Sequence, residues 1–103
     1  MNTTFPFIVP GTTINEATGG SSNSLAIPNG ADGNKARYVG ITQATAAAYF
    51  LFGASGDSVT STTGIVINPG DGMMIFATKS HTHIHHLQVA SAGVISMTAI
   101  DGP

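Results

Sequence analysis

The stretch Val94-Ile95-Ser96-Met97-Thr98-Ala99-Ile100 decides the fold class, because its side chains alternate between apolar and polar. Ile95, Met97 and Ala99 fall on one face of an extended chain, and the other face is more polar. A period of two residues is typical of a half-buried β-strand and does not fit an amphipathic helix. The stretch therefore predicts a strand with one face on an apolar core.

The segments before this strand predict two hairpins. Residues 83–89 precede it across the small residues 90–93, which predicts a hairpin between His83–Val89 and Val94–Ile100. Residues 65–67 are β-branched, and residues 73–77 are apolar, with Asn-Pro-Gly-Asp-Gly between them. Pro69 and Gly70 fit the two central positions of a type II turn. This spacing predicts a second hairpin.

Three further runs predict strands. Leu25 and Ile27 share a face, Tyr38–Ile41 is β-rich, and Ala47–Phe52 is a run that we interpret as a buried strand, apolar on both faces, rather than a ligand-stacking platform. Seven or eight short strands with turn signals between them predict an all-β fold. We expect a small jelly-roll-like β-sandwich that occupies residues 24–103 as a single domain.

Residues 1–23 differ from the rest and predict an extended N-terminal arm and linker. The apolar residues Phe5, Phe7, Ile8 and Val9 form one short patch, and residues 17–24 have the composition of a flexible tether. Prolines at positions 6 and 10 disfavour a helix and a central strand. We expect the patch to contact a neighbouring subunit of an assembly. The alternative is a short first strand that packs on its own sheet.

The chain carries unusually little charge. Charged residues make up 8% of it, against roughly 25% in an average soluble domain. Lys35, Arg37 and Lys79 are scattered along the sequence, so no basic stripe predicts nucleic-acid binding. The longest apolar run is much shorter than the roughly 20 residues of a membrane-spanning helix. A surface poor in charge suits a subunit that neighbours cover, so we expect a component of an assembly that binds neither nucleic acid nor a membrane.

The four histidines lie within six positions, in His81-Thr82-His83-Ile84-His85-His86. On a strand, His81, His83 and His85 would share one face and His86 would take the other. His-x-His pairs from three chains of a symmetric trimer would give six nitrogen ligands for a metal. The alternative, which we favour, is a solvated polar strand without metal and without a cofactor. That alternative predicts stability that is nearly flat between pH 7.5 and pH 5.5.

Catalytic patterns are not evident in the sequence. Most of the carboxylates adjoin glycine, as turn residues do. Cysteine is lacking, so a thiolate nucleophile is excluded. No G-x-S-x-G elbow or phosphate-binding loop is present. We therefore expect a protein that is not an enzyme.

Four segments together are similar to the decoration, or cement, proteins of tailed-bacteriophage heads: residues 37–41, 48–53, 63–70 and 91–98. The resemblance implies a small jelly roll, usually a homotrimer, made in the host cytoplasm. It would sit on the outer capsid surface of the virion and stabilise the particle by binding the major capsid protein. A second, local resemblance is to trimeric tail-fibre or spike tips that bind iron through His-x-His, which would use His81, His83 and His85.

Overall fold

The computed structural model describes residues 9–72 and 74–101, and these residues form eight β-strands. In chain order the strands are β1 (Val9–Ala17), β2 (Asn23–Ala26), β3 (Tyr38–Ala44), β4 (Ala48–Gly53), β5 (Ile65–Ile67), β6 (Met74–Ala77), β7 (His83–Gln88) and β8 (Val94–Asp101). They build two antiparallel sheets with four strands each. Sheet 1 has the order β1-β8-β3-β6, and sheet 2 has the order β2-β7-β4-β5.

The pairing of these strands is that of a jelly roll. β1 pairs with β8, β2 with β7, β3 with β6 and β4 with β5. The chain is therefore one long hairpin, with its tip between β4 and β5, that is rolled so that successive pairs alternate between the sheets. The prediction of an all-β, jelly-roll-like sandwich is confirmed.

Both predicted hairpins are wrong. β7 lies in sheet 2 and β8 in sheet 1, and the same separation holds for β5 and β6. The predicted turn itself is present, because the Asp71 amide donates to the Asn68 carbonyl at 3.2 Å and Gly70 has a φ of 85°. Its chemistry matches a type II turn. The turn carries the chain from one sheet to the other rather than between paired strands.

The core lies between the sheets and follows the predicted alternation. Ile95, Met97 and Ala99 on β8 have no exposed surface. They face Phe50 and Ile84, which come from the central strands of sheet 2 and are also buried. The alternation in residues 94–100 therefore identified a central strand and its buried face correctly.

The predicted arm is wrong for residues 9–23. β1 pairs with β8 from Val9↔Asp101 to Ala17↔Val94 and forms an edge of sheet 1, and β2 begins at Asn23. Pro10 is tolerated there because β1 is an edge strand with an irregular register after that residue. At Gly11 the strand approaches the backbone so closely that a Cβ would lie 2.7 Å from the Gly30 Cα. The alternative, a first strand packed on its own sheet, describes these residues.

Candidate functional site

β7 carries three histidines, and two of them, His85 and His86, lie on opposite faces of sheet 2 and are fully buried. His86 points between the sheets, because its register partner Phe50 belongs to the core. Its Nε2 lies 3.4 Å from the Oε1 of Glu16 on β1, so the pair spans the two sheets. Burial lowers the pKa of His86, Glu16 opposes this effect, and repulsion from His85 adds to it. The prediction that His86 faces away from its neighbour His85 is confirmed.

His85 lies on the opposite face of β7, under the chain that follows β4. Its Nε2 is 2.7 Å from the Ala54 carbonyl oxygen, and no part of the residue is exposed. The Ala54 amide donates a hydrogen bond to the Asp57 carboxylate at 2.9 Å. The interpretation of the histidine cluster as a solvated polar strand is therefore wrong for His85 and His86.

The other two predicted metal ligands are placed differently from His85. His81 precedes β7, and its ring centroid is 6.4 Å from that of Phe52, a residue packed against the core. His83 lies on β7 and is half-buried, with Nδ1 2.9 Å from the Thr82 hydroxyl. His83 and His85 are two residues apart on β7 and so share one face, whereas His81 precedes the strand and does not join them. Within residues 9–72 and 74–101, no group of three or more His, Asp or Glu residues is arranged to hold a metal.

An apolar groove opens between the two sheets on the side of their edge strands β5 and β6. Its volume is about 300 Å³. Phe52 of sheet 2 and Phe76 of sheet 1 meet there with ring centroids 5.6 Å apart. Ile65, at the start of β5, lines the groove and is 53% exposed. The groove therefore presents aromatic and aliphatic surface to the outside.

The outer face of sheet 1 is a second candidate surface, which we call the neutral face. Because Ile95, Met97 and Ala99 point inward, their neighbours on β8 and the register partners of those neighbours point outward. These residues include Thr13, Asn15, Tyr38, Gly40, Ile75, Ala77, Ser96 and Thr98, whereas Ile100, near the end of β8, is buried. None of them is charged, and several hydrogen-bond to one another, as Thr13 does to Thr98 at 2.9 Å.

The three basic residues, although scattered in sequence, line one groove at the end of sheet 1. Lys35, Arg37 and Lys79 surround the start of β3 and the end of β6. The Lys35 ammonium donates to the carbonyls of Lys79 at 2.6 Å and His81 at 2.8 Å. Lys79 has a φ of 47°, in the left-handed region. These contacts give Lys35 a structural role in holding the turn between β6 and β7.

Three aspartates have the turn role that the sequence predicted. Asp57 accepts from the Ala54 amide, Asp71 from the Asn68 amide at 2.8 Å, and Asp32 from the Asn34 amide at 3.0 Å. The hydrogen bond from the Asn34 amide lowers the pKa of the Asp32 carboxyl. Each carboxylate stabilises a local loop.

Of the predicted contact patch, the structure describes only the last residue, Val9. Val9 begins β1, whereas Phe5, Phe7 and Ile8 lie outside the described residues. The sequence does not predict the groove between the sheets, because residues 65–77 predict one hairpin whereas their two strands belong to different sheets and border an opening. The residues that line it, Ile65 and the aromatic residues at positions 52 and 76, lie on three different strands, and no sequence pattern shows that they meet.

No family model, curated protein or solved structure matches this chain. Among the described residues, no helix is long and apolar enough to cross a membrane.

Proposed function

We propose that this protein is a non-enzymatic virion component that binds the outer surface of a phage capsid and stabilises it as a decoration protein. Its partners would be the major capsid protein and two further copies of itself in a homotrimer. The neutral face is the observation that carries the proposal. It is a sheet surface of four strands, without charged residues at its described outward positions, on which Tyr38 and Ile75 are 40% and 46% exposed.

A neutral face fits a partner that contacts it through apolar atoms and hydrogen bonds. Hydroxyl and amide groups on Thr13, Asn15 and Thr98 can exchange their present partners for groups on a capsid. Such contacts are individually weak, but a trimer that engages three sites at once gains affinity through effective concentration. The chain's low charge also supports the proposal, because a surface that is always covered needs little charge to remain soluble.

The jelly roll supports this function without deciding it. Viral capsid domains use the fold, and so do lectins and cupins. The trimeric tail-fibre tip with metal on His81, His83 and His85 stays a prediction from the sequence. Within one chain, His85 has its Nε2 beside the Ala54 carbonyl and is buried, so no described contact favours that alternative. Iron or zinc near one ion per three chains, measured by elemental analysis, would support it.

Sedimentation with capsids tests the proposal. Capsids of the phage that carries this gene, stripped of the protein, are mixed with the wild type and with two single variants. Ile75→Lys places an ammonium on the neutral face, and we expect about a tenfold or greater loss of binding, because burying an unpaired charge costs several kcal/mol. Val66→Lys is the matched control: Val66 is 40% exposed, also on an edge strand, but on the outer face of sheet 2.

The control variant should bind capsids as the wild type does. A wild-type protein that ignores capsids would overturn the proposed function. Equal losses for the two variants would show that binding does not use the neutral face. Thermal melting of both variants confirms that each is folded before it is mixed with capsids.

A further inference from the structure

The groove between the sheets has an unpaired backbone edge beside it. On β4 the Gly53 carbonyl accepts from the Thr82 amide, toward β7. Since backbone groups of successive strand residues point to opposite edges, the amide and carbonyl of Phe52 point toward β5. β5 ends its pairing with β4 at Phe50↔Ile65. No described residue forms a backbone hydrogen bond with Phe52 on that edge, so one more strand could pair there.

The side chains at this edge determine which side chains an added strand must have in order to fit the groove. Phe52, Phe76 and Ile65 line the groove and leave aromatic and aliphatic surface open. No acidic or basic side chain lines it, and His81 is its one titratable neighbour among the described residues. An extended peptide with large apolar side chains at alternate positions fits this combination of backbone edge and pocket.

The chain itself contains a segment of this kind. Phe5 and Phe7 are two residues apart, so in an extended chain both side chains fall on one face and both backbones on one edge. Pro6 lies between them, and its missing amide would point to the other edge, where no partner is needed. A proline at that position also prevents a further strand from adding. The segment is therefore suited to pair with one strand through one edge, while its other edge cannot accept a further strand.

The distance from β1 decides which copy supplies the segment. Val9 and the groove lie toward the same end of sheet 1, since Pro10 pairs with Ile100, Ile100 with Tyr38, and Tyr38 with Ala77. They lie on opposite edges, however, three strand spacings of roughly 4.8 Å, or about 14 Å, apart. Phe7 is two residues before Val9 and reaches only about 7 Å. By the same measure Phe5, four residues before Val9, spans about 14 Å, so one chain cannot place both Phe5 and Phe7 in its own groove.

We propose that the groove between β4, β5 and β6 binds the Phe5–Ile8 segment of a second copy of this chain, as an added strand next to Phe52. Phe5 and Phe7 of the donor copy would pack on Phe52, Phe76 and Ile65 of the acceptor. This inference deepens the proposed function, on which it rests, because it names how copies of the protein are joined on the particle.

Cross-linking between single-cysteine variants tests the proposal, because the natural chain has no cysteine. One population carries Phe7→Cys and the other carries Ile65→Cys. The two full-length proteins are mixed, exchanged and mildly oxidised, and the products are separated on a non-reducing gel and identified by mass spectrometry. We expect a mixed disulfide between the two populations. Val94→Cys replaces Ile65→Cys as the matched control: Val94 is 40% exposed but does not line the groove.

The Val94→Cys mixture should give little mixed disulfide. Equal yields from the two mixtures, or no product from either, would overturn the proposal. A chain with both Phe7→Cys and Ile65→Cys that closes on itself at high dilution would also overturn it, because the segment would then occupy its own groove.

A second measurement does not depend on cysteine chemistry. The double variant Phe5→Ser and Phe7→Ser leaves the sequence of all eight strands unchanged, and thermal melting checks that it is folded. Light scattering should give a lower mass for it than for the wild type, approaching that of one chain. An unchanged mass would contradict the proposal. Capsid binding is measured in parallel: cross-linking without capsid binding would contradict the proposed function alone, and capsid binding without cross-linking would contradict this inference alone.

Discussion

At the scale of single residues, the most consequential side chain is His86. It is fully buried between the sheets, and neither of its ring nitrogens has a hydrogen-bond partner among the described residues. Glu16 faces it from β1, with Nε2 and Oε1 3.4 Å apart, and His85 adjoins it on β7. Burial disfavours the protonated ring and so lowers the pKa of His86. The fold therefore favours the neutral form of His86.

This burial predicts acid sensitivity. The pKa of His86 is lower in the folded state than its ordinary value of 6.5, so the unfolded chain binds the proton more readily. The contribution of His86 to the free energy of unfolding is therefore fully present above pH 6.5 and is lost as the pH falls below it. Between pH 7.5 and pH 5.5 the loss is at most about 1.4 kcal/mol. Urea unfolding at the two pH values measures it.

His86→Leu removes the titrating ring and should make the free energy of unfolding nearly equal at the two pH values. His83→Gln removes an imidazole from the other face of the same strand and should retain the wild-type difference. A wild-type protein that is equally stable at pH 7.5 and pH 5.5 would contradict this explanation. It would instead agree with the solvated polar strand that the sequence predicts.

At the scale of elements, β1 is the edge strand that protects β8 in sheet 1. It covers the edge of β8 along most of that strand's length, and Gly11 lets it lie directly against the backbone of Gly30. We expect deletion of residues 1–20 to abolish cooperative unfolding, because it removes an edge of sheet 1 and exposes the core to water. Deletion of residues 1–8, which leaves all eight strands in the chain, is the comparison. Circular dichroism during thermal melting compares the two truncations, and a sharp transition after the longer deletion would identify β1 as dispensable.

The strands were predictable from sequence, but their partners were not. Alternation in residues 94–100 and the Pro69-Gly70 turn are local features, and both predictions are confirmed. Strand pairing depends on residues far apart in the chain, such as Thr13 and Thr98. A turn between two strands has the same chemistry whether it joins neighbours in a sheet or crosses to another sheet. For this reason the groove between β5 and β6 could not be predicted from the sequence.

At the scale of the whole molecule, charge is sparse and unevenly placed. The chain has eight acidic and basic residues in total, and its three basic residues line one groove at the end of sheet 1. The neutral face has none at its described outward positions. Charged contacts set the dependence of an association on ionic strength, whereas apolar contacts and hydrogen bonds between neutral groups are hardly screened by salt. The two surfaces share Tyr38 and Ala77, so salt dependence reports whether the basic side chains take part in the contact.

If the neutral face contacts the capsid, binding should change little with salt. We expect the dissociation constant for stripped capsids to vary by less than about threefold between roughly 0.05 and 0.5 M NaCl, since few charges are screened over that range. Sedimentation at a series of salt concentrations measures it. Binding that weakens steeply with salt would instead assign the contact to Lys35, Arg37 and Lys79. In that case Lys79→Ala should reduce the salt dependence, whereas Ile75→Lys should leave the affinity nearly unchanged. Binding through the neutral face predicts the opposite: a large loss of affinity for Ile75→Lys and little effect of Lys79→Ala.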